Sequence, residues 1–391
     1  MVRPVSLLAG LCLAGALTAL PAQGATTQLR LIPGSYLPTA AATSSAALAI
    51  SASGLIAGAA DGSPVVWRGG RMRQLPYPTG VIPTGASAIA GEATAAVRSV
   101  TGADLVAGDV TFQTPAGFSS SAVMVWQAGQ PRLLQGQALA HVLDVNAAGD
   151  ALVVNGLPRL GLTFTVQRAD GSVTTVPFTA VALDSTGRPA GLRYDIGAGV
   201  FAAHAVRLDG ETTTVLDAPA GVSSAVNDVA SDGTMCGETF TLSLSSTGSS
   251  PIRLERHAVL WRADGTLVPL SAPGTQSWCT KIANGRVAAG QYVSADGTTS
   301  AVLWRDGTAT AVGPANLTTE VTGVNRSGQV IGTGYSAAEH LGFVARAGGW
   351  HELVVHGADS TQPRAINEAG TVVGTATTTA GTQRAAVWQT R

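Results

Sequence analysis

A short pattern recurs about every 40 to 50 residues along this 391-residue chain. A period of that size commits a chain to stacked or ring-forming repeats before any other feature is weighed. Each copy reads apolar–Asn/Asp/Ser–x–x–Gly, then a short Val/Ala-rich run ending in Gly, a polar loop, and Ala-Val-x-Trp. The last copies show it best: Val324-Asn325-Arg326-Ser327-Gly328 with Val330-Ile331-Gly332, and Ile366-Asn367-Glu368-Ala369-Gly370 with Val372-Val373-Gly374 and Ala386-Val387-Trp388.

Each unit holds four short runs with β character. In the clearest unit they are 321–324, 329–332, 342–345 and 350–354. Asx-x-x-Gly between the first two is a tight turn, because the Asx side chain bonds the backbone two residues on and Gly takes the positive φ. Asp-Gly pairs such as Asp170-Gly171, Asp209-Gly210, Asp264-Gly265 and Asp306-Gly307 stand between the third and fourth runs as hairpin signals. No stretch keeps a 3.6-residue period between helix caps, so helix is expected to be scarce.

Four antiparallel strands per unit, repeated, are the composition of a propeller blade. Counting by turn glycines gives Gly54, Gly102, Gly149, Gly187, Gly233, Gly285, Gly328 and Gly370, and counting by third strands gives the same eight units. The last unit stops after its third strand. A spare run, Gln28-Leu29-Arg30-Leu31-Ile32, precedes the first unit and resembles the fourth strands elsewhere. Joining the two would hide edge strands that otherwise invite aggregation. The expectation is an all-β, closed eight-bladed β-propeller of four-stranded antiparallel blades, the last completed by the N-terminal strand. Seven blades is the alternative.

The pattern resembles the bacterial extracellular HAF repeat, through His204-Ala205-Val206, His257-Ala258-Val259-Leu260-Trp261 and, more loosely, His340-Leu341-Gly342-Phe343. The resemblance covers most of the chain and implies secretion and a propeller-like fold. It brings no activity and no catalytic residue. Val usually replaces Phe here, and most units lack the His.

The first residues read as a secretory leader: Arg3, an apolar run from Leu7 to Leu20, and small residues in Ala22-Gln23-Gly24 before Ala25. That run is too short to span a bilayer. Residues 1–24 are therefore expected to be a signal peptide and 25–391 a single propeller domain, secreted or periplasmic, without membrane insertion, as a monomer. Net charge is −1, only 12% of residues are charged, and Lys281 is the only lysine. No basic stripe serves nucleic acid. Of three cysteines, Cys12 lies in the leader. Cys236 and Cys279 fall in adjacent units, either as a disulfide or as two separate buried thiols.

Chemistry is sparse. His204, His257 and His340 share one repeat position and are expected to bond neighbouring loops. There is no Gly-x-Ser-x-Gly, no His-Glu-x-x-His and no Cys/His spacing for zinc, so neither cofactor nor metal is expected. Aligning the units on the Asx turn exposes residues that break the repeat along the first, innermost strands: His141, Asp144, Asp228, Trp278, Lys281, Glu320 and Arg364. As a binding site, Trp278 would stack on a sugar ring while Asp144, Asp228 and Lys281 hold hydroxyls or carboxylates. As an enzyme, Glu320 and an Asp would pair for glycoside hydrolysis, or Lys281 or His141 would serve a polysaccharide lyase as base. The expected function is an extracellular binding scaffold for a glycan, peptide or surface partner; a propeller-fold glycoside hydrolase or polysaccharide lyase is the alternative.

Overall fold

The computed structural model describes residues 30–39, 43–76, 94–100, 104–113, 119–134, 140–157, 161–197, 200–244 and 252–390. The expected leader and the turn at Gly102 lie outside the described residues. Within them every regular element is a strand. The strands form six four-stranded sheets and one eight-stranded sheet, and every unit but the last is an antiparallel four-strand meander in chain order.

The first strands of successive units are Ser45–Ile50, Thr94–Val100, Ala140–Val145, Thr179–Leu183, Ser223–Val229, Gln276–Asn284, Thr318–Val324 and Ala358–Ile366. Each touches the next, and the last touches the first. The units are numbered one to eight in this order. Small residues such as Ala47, Ala140 and Ala180 bury fully where these inner strands converge.

The seam lies between units seven and eight. The strand Arg30–Tyr36 pairs antiparallel with Gln389's strand through Gly34↔Trp388, Ser35↔Val387 and Tyr36↔Ala386. It also pairs parallel with Gly349–Val355, through Arg30↔His351 to Gly34↔Val355. The N-terminal strand thus caps the last unit as expected and in addition fuses it to unit seven. Gly34 makes the crossing feasible, because a Cβ there would sit 2.4 Å from the Trp388 indole.

The repeat signature follows from how units meet. Every inner strand carries a β-bulge just before its turn, as at Val142/Asp144, Val226/Asp228 and Cys279/Lys281. Beside it the second strand has glycine in every unit but the third, which has Val153; a Cβ at Gly191 or Gly290 would lie 2.0 Å from the Thr179 or Trp278 carbonyl oxygen. In the turn, the Asn325 Oδ1 accepts the Gln329 N–H at 3.0 Å, while its Nδ2 donates to the Asn367 carbonyl of the next unit at 3.0 Å. Asn367 repeats this from unit eight to unit one, donating to the Ser51 carbonyl at 3.3 Å.

Trp67, Trp126, Trp261, Trp304 and Trp388 fill the space between sheets, each buried, with its Nε1–H donating to a backbone carbonyl. The Ala of the His-Ala pairs has its own task. The Ala205 and Ala258 N–H groups donate to the buried hydroxyls of Ser224 and Ser277 in the following unit, at 2.9 and 3.1 Å.

Candidate functional site

The repeat-breaking residues do not gather at one point; they occupy four places. At the seam of units two and three, His141 Nδ1 lies 3.0 Å from Asp109 Oδ2, and Asp109 Oδ1 accepts the Val142 N–H at 2.7 Å. Asp109 is 1% exposed. His141 is thereby a tether between sheets, with a side chain still 44% in solvent.

At the seam of units five and six, the Arg256 guanidinium lies over the Trp278 ring, 4.1 Å from its centroid. Arg256 is held in turn by the buried Glu238, with Nη2–Oε1 at 2.8 Å and a second bond from Nε to Oε2. Trp278 is half-buried, and this cation–π contact takes up one face of the ring expected to stack on a sugar.

Asp144, Asp228 and Lys281 come from units three, five and six and feel one another's charge across the ring. Asp144 Oδ2 accepts the Leu183 N–H at 2.9 Å, and its Oδ1 accepts the Val145 N–H at 2.8 Å. Asp228 does the same two seams further on, accepting the Ile282 N–H at 3.0 Å. Burial, and after it the neighbouring Asp228 charge, push the Asp144 carboxyl up to about 6, against the pull of those amides and of Lys281. The Asp228 carboxylate raises the Lys281 ammonium in spite of its burial. No N···O approach within 4.0 Å joins Lys281 to either acid among the described residues. All three residues are half-buried.

Glu320 and Arg364 meet elsewhere. Both line a cleft of about 550 Å³ between units seven and eight, together with Thr333, Tyr335, His340 and Gln362. The Tyr335 and His340 rings stack with centroids 6.0 Å apart and planes 16° from parallel. Arg364 Nη2 donates to Gln362 Oε1 at 3.2 Å. The cleft combines an acid, a guanidinium, an amide, hydroxyls and an aromatic pair. Glu320 is the one carboxylate among its lining residues, so the pair needed for glycoside hydrolysis is not assembled there.

Asp109, Glu238, Arg256 and Tyr335 were not singled out by the sequence pattern. His340, expected to bond a neighbouring loop, lines the cleft, and His204 Nε2 lies 3.4 Å from Asp195 Oδ2 on the adjacent strand of its own sheet instead of on a loop. Cys236 and Cys279 are free thiols packed in one core cluster, both fully buried. Burial and the hydrogen-bonded neighbour Cys279 push the Cys236 thiol well up, so it is unreactive as a thiol while the fold holds.

No family model and no curated protein matches the chain. Among solved structures it is similar to the β-propeller domain of the Trilobed protease from Pyrococcus furiosus, at 9% identity and TM-score 0.52, covering 73% of this chain and 92% of that one. The fold is a β-propeller. Weaker likenesses are to the acylaminoacyl peptidase of Pyrococcus horikoshii (10% identity, TM-score 0.49, 73% of this chain) and to a puromycin hydrolase (15%, 0.44, 81%). This chain spans 50% and 52% of those two proteins.

Proposed function

We propose that residues 25–391 form one eight-bladed propeller, monomeric and exported by the leader over 1–24, that binds a glycan or peptide in the cleft between units seven and eight. The eight inner strands touching in series support the blade count. The His-Ala pairs, whose Ala amides stitch consecutive units, fit the likeness to HAF repeats.

The observation that carries the binding role is the cleft itself. Two residues that break the repeat, Glu320 and Arg364, share it with the stacked Tyr335–His340 pair. Convergent charged and hydroxyl groups beside an aromatic surface suit sugars and peptide ends alike. Asp144, Asp228 and Lys281 form a second, deeper polar lining.

The test is a glycan array and a peptide library probed with the mature chain. Binding that falls about tenfold or more in Glu320→Gln and Arg364→Ala, each losing a charge-assisted hydrogen bond, is expected. Polysaccharide turnover abolished by Glu320→Gln would replace this proposal with the hydrolase or lyase.

A further inference from the structure

The seam between units one and two carries a different kind of site. A groove of about 850 Å³ runs there, with the exposed Ala128 in its lining and the core residues Leu55, Leu75 and Trp126 buried beneath it. Its rim holds three arginines, Arg68, Arg71 and Arg73, and one acid, Asp104. In a chain with 12% charged residues and net charge −1, this is a local excess of two positive charges.

The arrangement opposes simple packing. Arg68 and Arg71 are direct cross-strand partners, and like charges placed opposite each other destabilise a sheet. The one compensating acid is already occupied. Asp104 pairs with Arg68 and accepts hydroxyl bonds from Ser53 at 2.6 Å and Ser51 at 3.3 Å. Partial burial raises its carboxyl, but Ser53 and Arg68 together hold it below the ordinary value. Asp104 therefore neutralises Arg68, and no ion pair or hydrogen bond from Arg71 or Arg73 exists among the described residues.

Arg73 is also aimed. Its guanidinium crosses to the turn of unit two, where Gly129 stands at φ +79°. A Cβ at Gly129 would lie 2.6 Å from Arg73 Nη1. Arg71 and Arg73 lie two residues apart on one strand and so share a face, about 7 Å apart along it. Two guanidinia at that repeat, each able to fork onto a planar or tetrahedral anion, lie along the rim of the groove.

We propose that this groove binds an acidic polysaccharide, a linear sugar chain bearing carboxylates or sulfates. Regularly spaced acids pair with Arg71 and Arg73, and the apolar faces of the sugar rings lie against the arginine stems and Ala128. The site is separate from the cleft of units seven and eight, and either can fail without the other.

The experiment uses the full mature chain with polygalacturonate and dextran sulfate as probes, and uncharged dextran, polyglutamate and single-stranded DNA as comparisons. Expected is binding to at least one acidic polysaccharide that weakens with salt, as exposed charge pairs do, with none to dextran. Arg71→Glu/Arg73→Glu, on an exposed strand, should keep the thermal midpoint and lose binding by about tenfold or more. Gly129→Ala, which displaces Arg73, should give a smaller loss. Equal binding by wild type and the double variant, no binding to either probe, or equally tight binding to polyglutamate or DNA would each overturn the proposal. If the double variant unfolds, Arg71→Gln/Arg73→Gln carries the same expectation.

Discussion

The seams between units differ at one equivalent position. In units three and six the inner-strand residue five before the turn meets a side chain of the unit before it. At units two and three this slot is filled by His141 on Asp109, and at units five and six by Trp278 under Arg256 and Glu238. At units seven and eight the matching residues are Gln362 and Thr333, and a cleft of about 550 Å³ opens. The difference is side-chain reach: an acid after the second-strand glycine spans the seam, and a threonine does not. Two seams are thus bridged by an acid at this position, and the seam of units seven and eight is not.

The filled seams should be costly to empty. Glu238→Ala leaves Arg256 stacked on Trp278 without its counter-ion. A fully buried pair broken in this way costs about 3–5 kcal/mol. With Arg256 25% exposed, about 2–3 kcal/mol is expected from denaturant unfolding. Asp109→Ala removes the acceptor of the Val142 amide and of His141, with an expected loss of about 2 kcal/mol. Loss of less than about 0.5 kcal/mol in both, the range of ordinary surface substitutions, would mean that the seams are not held by these contacts.

Asp144 sharpens the contrast between acids that belong to the repeat and acids that break it. Asp184, at the turn of unit four, accepts from the amides of Thr186 and Arg188 and from Arg188 Nε at 2.7 Å. Although burial raises it, those bonds keep its carboxyl below the ordinary value. Asp144 has two amides and no ion pair, and stands at about 6. Its folded pKa thus exceeds the unfolded value of about 3.9, so the native state binds the extra proton between them. Stability should fall as pH rises through about 4 to 6 and level off above, by on the order of 2 kcal/mol. Asp144→Asn should flatten that window and raise stability at pH 7 by about 1 kcal/mol, the relieved charge exceeding one lost hydrogen bond. A thermal midpoint that drops at pH 7 in this variant would show that the charge is compensated.

Much of the fold was legible because the repeat encodes contacts local to a unit. The Asx turn, the second-strand glycine and the tryptophan each answer to a neighbour within about one period, and the spare strand announced the seam. The parallel pairing of Arg30–Gly34 with His351–Val355 was not legible, since nothing in a period distinguishes one outer edge from the next. The site was legible in part. Alignment on the turn found Glu320 and Arg364, yet grouped them with residues from three other places. Partners in the preceding unit were invisible to that alignment. A second alignment, on the second-strand glycine, sets Gly108-Asp109 and Gly237-Glu238 apart as the two acids that directly follow it.

The smallest expected change in stability is the most direct attack on the comparison. Thr333→Glu places in unit seven the acid that units two and five already carry at this position. Thr333 faces the cleft and is half-buried, so the longer side chain extends into open space. It can pair there with Arg364, whose present contact is the Gln362 amide at 3.2 Å. Exposed pairs contribute little, so the unfolding free energy should move by less than about 0.5 kcal/mol. The cleft, by contrast, should close: the new carboxylate takes the guanidinium and fills the space beside Gln362, and ligand binding found with the wild type should fall about tenfold or more. Thr333→Val, which adds no reach, should leave binding within about threefold, less than one lost neutral hydrogen bond is worth. If Thr333→Glu binds as the wild type does, the short residue is not what makes this seam a site, and the open and filled seams differ for another reason.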